Sequence, residues 1–290
     1  MPPRPSCLSK LREPLCDVLA TADNNWVNMI PVGGEGLLLS DTTNMLRMDL
    51  ETLSISGMKL WLDDETQGLP GPTWKHIGHM GIIGSAHPIK RPGTETWVAI
   101  LVEMPVLPTS THVTHGYVSV YTFDGAQSKP QNRQLLTSVR TENTQHMHSF
   151  GVTPNFVVLP MNLKVSMFNP LNPLLIDKMT PNWMGIYLVD KHGEVQAFDT
   201  EYHFSHVHFV NSYENATGVV ADIGVHNENI FSHNPLMDIS LFLNQTARDN
   251  WANRGFVRRF HFHTSGTLLG RTTTELLNIG VADPDIDFPK

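Results

Sequence analysis

The chain is poor in cysteine and has no long apolar segment. Among its 290 residues only Cys7 and Cys16 are cysteines, and both lie near the N-terminus. Two thiols can form one disulfide at most, which is too few to stabilise a chain of this length, so we expect a reducing, cytoplasmic compartment. No apolar run reaches the ~18 residues that a membrane-spanning helix needs, and the N-terminus lacks the apolar core of a secretion signal. We therefore expect a chain that is soluble or lies on a membrane surface.

Charge is also scarce, and it has the wrong sign for nucleic-acid binding. Asp, Glu, Lys and Arg make up 17% of the chain, and the formal net charge is −8 at pH 7. Binding to a phosphate backbone depends on clustered Lys and Arg. We therefore expect no nucleic-acid partner.

The sequence contains many short apolar stretches separated by turn residues. Its 21 glycines and 20 prolines are spread along the chain, which is typical of proteins built from many short strands. The one helix prediction covers residues 238–251. Hairpins are predicted within 23–40 and 45–56, and further strands at 97–104, 117–123, 156–159, 163–168, 184–189, 207–213, 218–223 and 256–263. We expect an all-β fold of units about four strands long, the kind of unit that forms the blades of a β-propeller.

Three histidines recur at similar intervals, each at the edge of a predicted strand. His87, His148 and His208 are about 60 residues apart. Innermost strands of neighbouring blades face the propeller axis, so one imidazole from each repeat could meet there and bind a metal ion. The chain contains 15 histidines, so ordinary surface or core histidines remain the alternative interpretation of the spacing.

The stretches around these histidines resemble a known family. MHSFGVTPNFVV, SAHPIKRPGTET and HFVNSYENATGVVADI are similar to successive signature stretches of the carotenoid cleavage oxygenases. Supporting similarities are Thr21-Ala22-Asp23-Asn24, the Asp49–Leu53 hairpin and Ile286-Asp287-Phe288-Pro289. They occur in the order that the family has, and they cover nearly the whole chain.

The resemblance implies a seven-bladed β-propeller with iron(II) on its axis, held by four histidines. Three of these map to His87, His148 and His208. The family also places carboxylates behind the ligands, where they accept hydrogen bonds from the other ring nitrogens. The matching positions are Asp41 and Asp287, both of which are normally Glu in the family.

The chain departs from the family pattern in three places. The fourth histidine falls beyond Lys290, and the family's opening blade precedes Thr21. We therefore expect residues 1–290 to form a single but partial propeller domain of about four to five blades. The third departure is a turn, because Arg91 stands where the family commonly has the Asp of an Asp-Pro-x-Thr-Gly sequence.

The activity implied by the resemblance is cleavage of a conjugated double bond of a carotenoid or apocarotenoid by dioxygen. Such a substrate needs an apolar tunnel, and the candidate walls are Phe150, Phe168, Trp183 and Phe209; ordinary core aromatics are the alternative. Relatives sit on a membrane surface, and the apolar stretches 104–108 and 167–176 could make that contact here; buried loops are the alternative.

Three functions remain open at the level of sequence. The first is an iron-dependent carotenoid oxygenase. The second is a catalytically inactive homologue that binds a lipid-like ligand or a protein partner. The third is an unrelated interaction propeller with incidental histidines, which the motif similarities disfavour.

Overall fold

A computed structural model describes the protein over residues 27–41, 43–60, 62–63, 76, 79–105, 115–126, 132–161, 165–166, 175–176, 185–200, 203–226, 244, 246 and 255–277. The described part of the chain is built from β-strands, as predicted. The helix predicted at 238–251 lies outside the described residues apart from isolated positions.

The first sheet is a four-stranded antiparallel meander. Its strands pair in sequence order and have these bounds: β1 Asn28–Val32, β2 Glu35–Leu39, β3 Asn44–Asp49 and β4 Ile55–Leu60. Gly33 and Gly34 lie at positive φ and join β1 to β2, because a two-residue hairpin turn needs left-handed backbone. The two hairpins predicted within 23–56 are confirmed.

The second sheet has six strands and includes a long apolar strand that is buried over most of its length. The bounds are β5 Leu62–Asp63, β6 His79–Ile83, β7 Ile89–Lys90, β8 Thr96–Pro105, β9 Gly116–Asp124 and β10 Asn132–Thr141. The strand order is β5-β10-β9-β8-β6, and β7 also pairs with β8. Only β5 and β10 run parallel.

Two further four-stranded sheets complete the described fold, with one small ribbon between them. The third sheet comprises β11 Gly151–Val152, β12 Phe156–Met161, β15 Gly185–Asp190 and β16 Val195–Phe198; the ribbon is β13 Val165–Ser166 with β14 Leu175–Ile176. The fourth sheet comprises β17 Ser205–Asn215, β18 Gly218–His226, β19 Gly255–His263 and β20 Thr272–Leu276. Both four-stranded sheets are antiparallel and pair in sequence order.

The sheets are joined to one another by three apolar clusters, one at each junction. The first and second sheets share a cluster that includes Leu37 and Ala99. The second and third share one that includes Ile100 and Leu159, and the third shares another with the fourth. The sheets therefore pack as successive blades, which confirms the blade-like architecture expected from the sequence.

Central strands are buried on both faces, which explains their continuous apolar sequences. In β8, Val98, Ile100 and Val102 enter the cluster toward the third sheet, whereas Ala99 enters the cluster toward the first. In β12, Val158 and the partly buried Phe156 face the fourth sheet, whereas Val157 and Leu159 face the second. Alternate residues of a strand point to opposite faces, so a strand between two neighbouring sheets needs an apolar residue at nearly every position.

The strand β10 was not predicted, because its sequence NRQLLTSVRT has too few apolar residues to show a strand pattern. Its polar residues are accommodated individually. Arg133 is buried, and its guanidinium carbon lies 3.9 Å from the ring centroid of Tyr121. The hydroxyl of Ser138 lies 2.8 Å from that of Ser119 on β9. These contacts with β9 stabilise β10, although its sequence lacks the alternation of apolar residues that is typical of a strand. Within the described residues, no helix is long and apolar enough to cross a bilayer.

We expect Gly218→Ala to destabilise the fold by about 3 kcal/mol or more, as overpacking against rigid backbone does. A Cβ at Gly218 would overlap the carbonyl oxygen of Phe262 on β19 and lie 3.0 Å from the Thr264 nitrogen. Urea unfolding of the purified variant measures the effect. Gly36→Ala is the matched control, because its Cβ would meet only the ends of flexible side chains. Equal unfolding midpoints for the two variants would contradict this account.

Candidate metal centre

The three evenly spaced histidines converge on one point. His87 lies between β6 and β7, His148 precedes β11, and His208 lies within β17. One ring nitrogen from each lies within 4.8 Å of those of the other two. This is the one group of three or more His, Cys, Asp or Glu with such geometry among the residues that the structure describes.

The three rings are nearly perpendicular to one another. The interplanar angles are 77° for His87 with His148, 80° for His87 with His208 and 77° for His148 with His208. The Nε2 atoms of His87 and His148 are 2.9 Å apart. Two nitrogens bound at right angles to one ion, with bonds of about 2.1 Å, would lie about 3 Å apart. The observed spacing therefore fits two adjacent ligands of a single ion.

A double irregularity in β17 brings His208 to this point. The pairing with β18 shifts between His206 and Phe209 and again between Phe209 and Asn211. A β-bulge bends its strand and changes the direction of a side chain. His208 lies in the first bulge, so its ring is freed from the regular alternation of the strand.

Ser149 fixes the position of His148 relative to His208. Its hydroxyl donates to the carbonyl of Val207 at 2.5 Å and accepts from the Phe209 amide at 3.1 Å. Its carbonyl lies 3.2 Å from Nε2 of His206. The backbone on both sides of His208 is therefore hydrogen-bonded to the residue that follows His148.

Asp41 lies directly behind His148. Both carboxylate oxygens of Asp41 are 2.8 Å from Nδ1 of His148, and the Asp41 carbonyl accepts a hydrogen bond from the Gly84 amide at 3.0 Å. A carboxylate that accepts the Nδ1 proton leaves the Nε2 lone pair free toward the cluster and fixes the ring orientation. Asp41 thus links the first sheet to the segments that carry both His87 and His148.

The environment keeps the ring of His87 uncharged in the absence of an ion. Burial, with the neighbouring rings of His148 and His208, lowers the pKa of His87 from its ordinary 6.5 to about 4, although Asp41 opposes this shift. The neutral imidazole is the form that binds metals. The donor set of three imidazole rings and one supporting carboxylate suits a divalent transition metal.

Comparison with known proteins identifies the family. The model of the RPE65 family, described as retinal pigment epithelial membrane protein, matches residues 6–290. The chain belongs to the RPE65 family. The family resemblance stated from the signature stretches is thereby confirmed. A search of curated proteins gives no match.

Solved structures of family members share the fold. A glutamate-to-glutamine mutant of the Synechocystis apocarotenoid oxygenase matches with a TM-score of 0.60 and 16% identity, over 90% of this chain and 50% of that chain. The cobalt-substituted form of the same oxygenase gives 0.57 and 15%, over 86% and 47%. The Pseudomonas brassicacearum lignostilbene dioxygenase gives 0.52 and 18%, over 88% and 48%. The chain therefore spans about half the length of these structures, and its four blade-like sheets correspond to about half of a seven-bladed propeller.

The other predicted site residues have different outcomes. Phe150 is fully buried in the cluster between the second and third sheets. Phe209 is half-buried beside the cluster of the third and fourth sheets, and a Cβ at Gly151 would lie 2.9 Å from its ring. Their role as tunnel walls stays a prediction. Phe168, Trp183 and Asp287 lie outside the described residues, as do most of the apolar stretches 104–108 and 167–176.

A polar clamp that sequence reasoning missed is formed by residues that follow each of the three histidines in the chain by four to seven positions. The Glu214 carboxylate accepts hydrogen bonds from the Thr153 hydroxyl at 2.6 Å, the Asn155 amide nitrogen at 2.7 Å and the Asn155 side chain at 2.9 Å. Arg91 donates to the carbonyls of Thr153 and Pro154 at 3.3 and 3.0 Å. The clamp joins one residue or turn from each of the three histidine-bearing sheets.

The charge of Glu214 is stabilised by this arrangement. Burial alone would raise the pKa of Glu214, but the hydrogen bonds from Thr153 and Asn155, together with nearby Arg91, hold it below its ordinary value. The signal in the sequence was the departure at Arg91, where the family commonly has Asp. An aspartate there could neither donate to the two carbonyls nor complement Glu214.

We expect Glu214→Gln to lower the free energy of unfolding by about 1–2 kcal/mol, because hydrogen bonds to a charged group are lost or weakened. Chemical unfolding at pH 7.5 measures the change. Glu194→Gln is the control, since Glu194 is exposed in a turn. If Glu214→Gln lowers the free energy of unfolding no more than Glu194→Gln does, the clamp contributes nothing to stability.

Acid should destabilise the metal-free chain before its carboxylates titrate. Burial lowers the folded-state pKa of His146, like that of His87, to about 4. The unfolded chain therefore takes up protons as the pH falls below about 6.5, while the folded rings stay neutral until about pH 4. The contribution of these two neutral rings to the free energy of unfolding is complete above pH 6.5, and it is lost as the pH falls toward 4. Urea midpoints measured with a chelator should fall across this window; a flat profile between pH 6.5 and 4.5 would contradict the burial of neutral rings.

Proposed function

We propose that this chain carries the metal centre of a non-haem iron oxygenase that cleaves a conjugated double bond of a carotenoid or apocarotenoid. The observation that carries the proposal is the convergence of His87, His148 and His208, with Asp41 on Nδ1 of His148. Family membership and the names of the similar oxygenases support the substrate class. Iron(II), when bound, would supply the activation of dioxygen.

The residues of the chain have three separate tasks in this proposal. The three neutral imidazoles hold the ion through their converging nitrogens. Asp41 keeps the proton of His148 on Nδ1 and adds one negative charge, which partly offsets a divalent cation. Phe209 directly follows His208 in β17 and is half-buried, and in this proposal it would contact an apolar substrate.

A second candidate is a homologue that binds its ligand without turnover. The observation in its favour is that the metal cluster contains three histidines within the described residues, whereas the resemblance implies four. Both candidates share the fold and the apolar ligand class. They differ in whether bound iron is accompanied by product.

The test measures iron content and product formation together. The full 290-residue chain is loaded anaerobically with Fe(II), desalted and analysed for iron, then mixed with an apocarotenoid in detergent and assayed for aldehyde products by chromatography. Bound iron with product supports the oxygenase. Bound iron with ligand binding but no product supports the second candidate, and absence of iron binding contradicts the metal centre.

We expect Asp41→Asn to weaken iron binding by about 10–100-fold, because substitution of the partner of a ligating histidine typically has that effect. His148→Ala removes a ligand and should weaken binding further. Asp199→Asn is the control, since Asp199 is an exposed carboxylate that follows the outer strand β16. Competition with a chromogenic chelator gives the affinities, and unchanged affinity in Asp41→Asn would exclude the positioning role.

A further inference from the structure

A second pair of histidines lies on the fourth sheet, outside the cluster described above. His261 and His263 are two residues apart on β19. Phe260 and Phe262 point into the cluster shared with the third sheet, so alternation places both histidines on the opposite face of the sheet. Their ring centroids are 4.0 Å apart, with an interplanar angle of 35°.

The two rings approach each other because each hydrogen-bonds to a threonine that is not directly opposite it in the sheet. His261 is paired with Thr273 on β20, but its Nε2 lies 3.1 Å from the hydroxyl of Thr217. His263 is paired with Gly218 on β18, but its Nε2 lies 3.2 Å from the hydroxyl of Thr273. Each side chain therefore leans past the other, which brings the rings together.

The hydrogen bonds are compatible with a His261 tautomer that leaves Nδ1 open. The hydroxyl of Thr217 lies 3.1 Å from Oδ1 of Asn215, which also accepts from the amides of Thr217 and Gly218. With its proton on Asn215, the Thr217 hydroxyl accepts toward His261, and Nε2 of His261 then carries the ring proton. In this arrangement Nδ1 of neutral His261 is a bare lone pair.

Nothing in the described part of the chain uses the remaining nitrogens. No hydrogen bond to Nδ1 of His261 or of His263 is formed among the described residues. Burial, together with the nearby His263, lowers the pKa of His261 below its ordinary value. The ring is thus held neutral, with one nitrogen already hydrogen-bonded and the other available.

The charged groups on the same face balance one another. Arg259, two residues before His261, donates to both carboxylate oxygens of Asp222 at 2.7 and 2.9 Å. Its third nitrogen lies 3.6 Å from the Glu275 carboxylate. Arg271 lies opposite His263, whose amide donates to the Arg271 carbonyl at 3.0 Å, so two carboxylates are matched by two guanidiniums and these groups leave no net charge that would oppose a cation.

We propose that His261 and His263 form a second metal site, which binds a divalent transition-metal ion through their ring nitrogens independently of His87, His148 and His208. Imidazole ligands suit Cu²⁺, Ni²⁺ and Zn²⁺, and Cu²⁺ binds tightest in that series. The threonine hydroxyls act as the hydrogen-bonding partners that orient ligating histidines in metal sites. Two protein ligands leave the other positions of the ion open to water.

The experiment is a Cu²⁺ titration of the full chain by equilibrium dialysis, with the paired variant His87→Ala/His148→Ala, with His261→Asn and with all three changes combined. We expect two ions for the unmodified chain, one for the paired variant, one for His261→Asn and none for the combined variant, because a single histidine remains at each site that is removed. The loss of Cu²⁺ affinity at this site in His261→Asn should exceed the 10–100-fold loss that removal of an orienting partner causes. His192→Asn is the matched control, because His192 is exposed in a turn of the third sheet.

A second variant tests the site independently, in case His261→Asn misfolds. Thr217 is exposed, so Thr217→Val should leave the fold intact, as circular dichroism can check. It removes the acceptor that holds the His261 tautomer, and we expect Cu²⁺ affinity at this site to fall by about 10–100-fold. Nitrogen hyperfine structure from two imidazoles should appear in the Cu²⁺ electron paramagnetic resonance spectrum of His87→Ala/His148→Ala. Undiminished Cu²⁺ binding in both His261→Asn and Thr217→Val would overturn the proposal.

Discussion

Burial of the sheets on both faces is the constraint on which the metal centre depends. His87, His148 and His208 belong to three different sheets, so their rings meet only while those sheets keep their relative positions. Apolar clusters at each junction hold the sheets together, and each large side chain that they bury contributes about 1.5–3 kcal/mol. The many buried side chains outweigh the cost of bringing three polar rings together. The apolar packing therefore sets the positions of the sheets, and polar contacts adjust the rings within that frame.

Those polar contacts join the sheets close to the histidines. Asp41 from the first sheet holds His148, Ser149 holds the backbone around His208, and Glu214 from the fourth sheet holds the Thr153–Asn155 turn of the third. A change in one sheet would therefore reach a ligand that another sheet carries. This is the preorganisation that a metal site needs, since ligands held in place before binding lose little entropy when the ion arrives.

The sequence predicted the parts of this arrangement that depend on regular patterns. Apolar runs placed most of the strands, and the spacing of His87, His148 and His208 indicated a shared point. Other parts could not be predicted from such patterns. Strand β10 was missed because partners on β9 accommodate its polar residues. The bulges that turn His208 arise from the pairing of β17 with β18. The sequence of β17 alone does not determine that pairing. The Arg91–Glu214 clamp joins residues far apart in the chain, and only the unusual Arg91 hinted at it.

The two histidine groups show how the same side chain is prepared for a metal in different ways. At the junction of the sheets, three rings from separate sheets meet nearly at right angles, and a carboxylate fixes the tautomer of His148. On β19 one strand supplies both rings, so the pleat limits their approach, and crossing toward Thr217 and Thr273 is what brings them within 4.0 Å. A neutral hydroxyl replaces the carboxylate there, and a hydroxyl polarises the ring less than a carboxylate does. The pair on β19 should therefore bind an ion more weakly than His87, His148 and His208 do, and exchange it more readily with solvent.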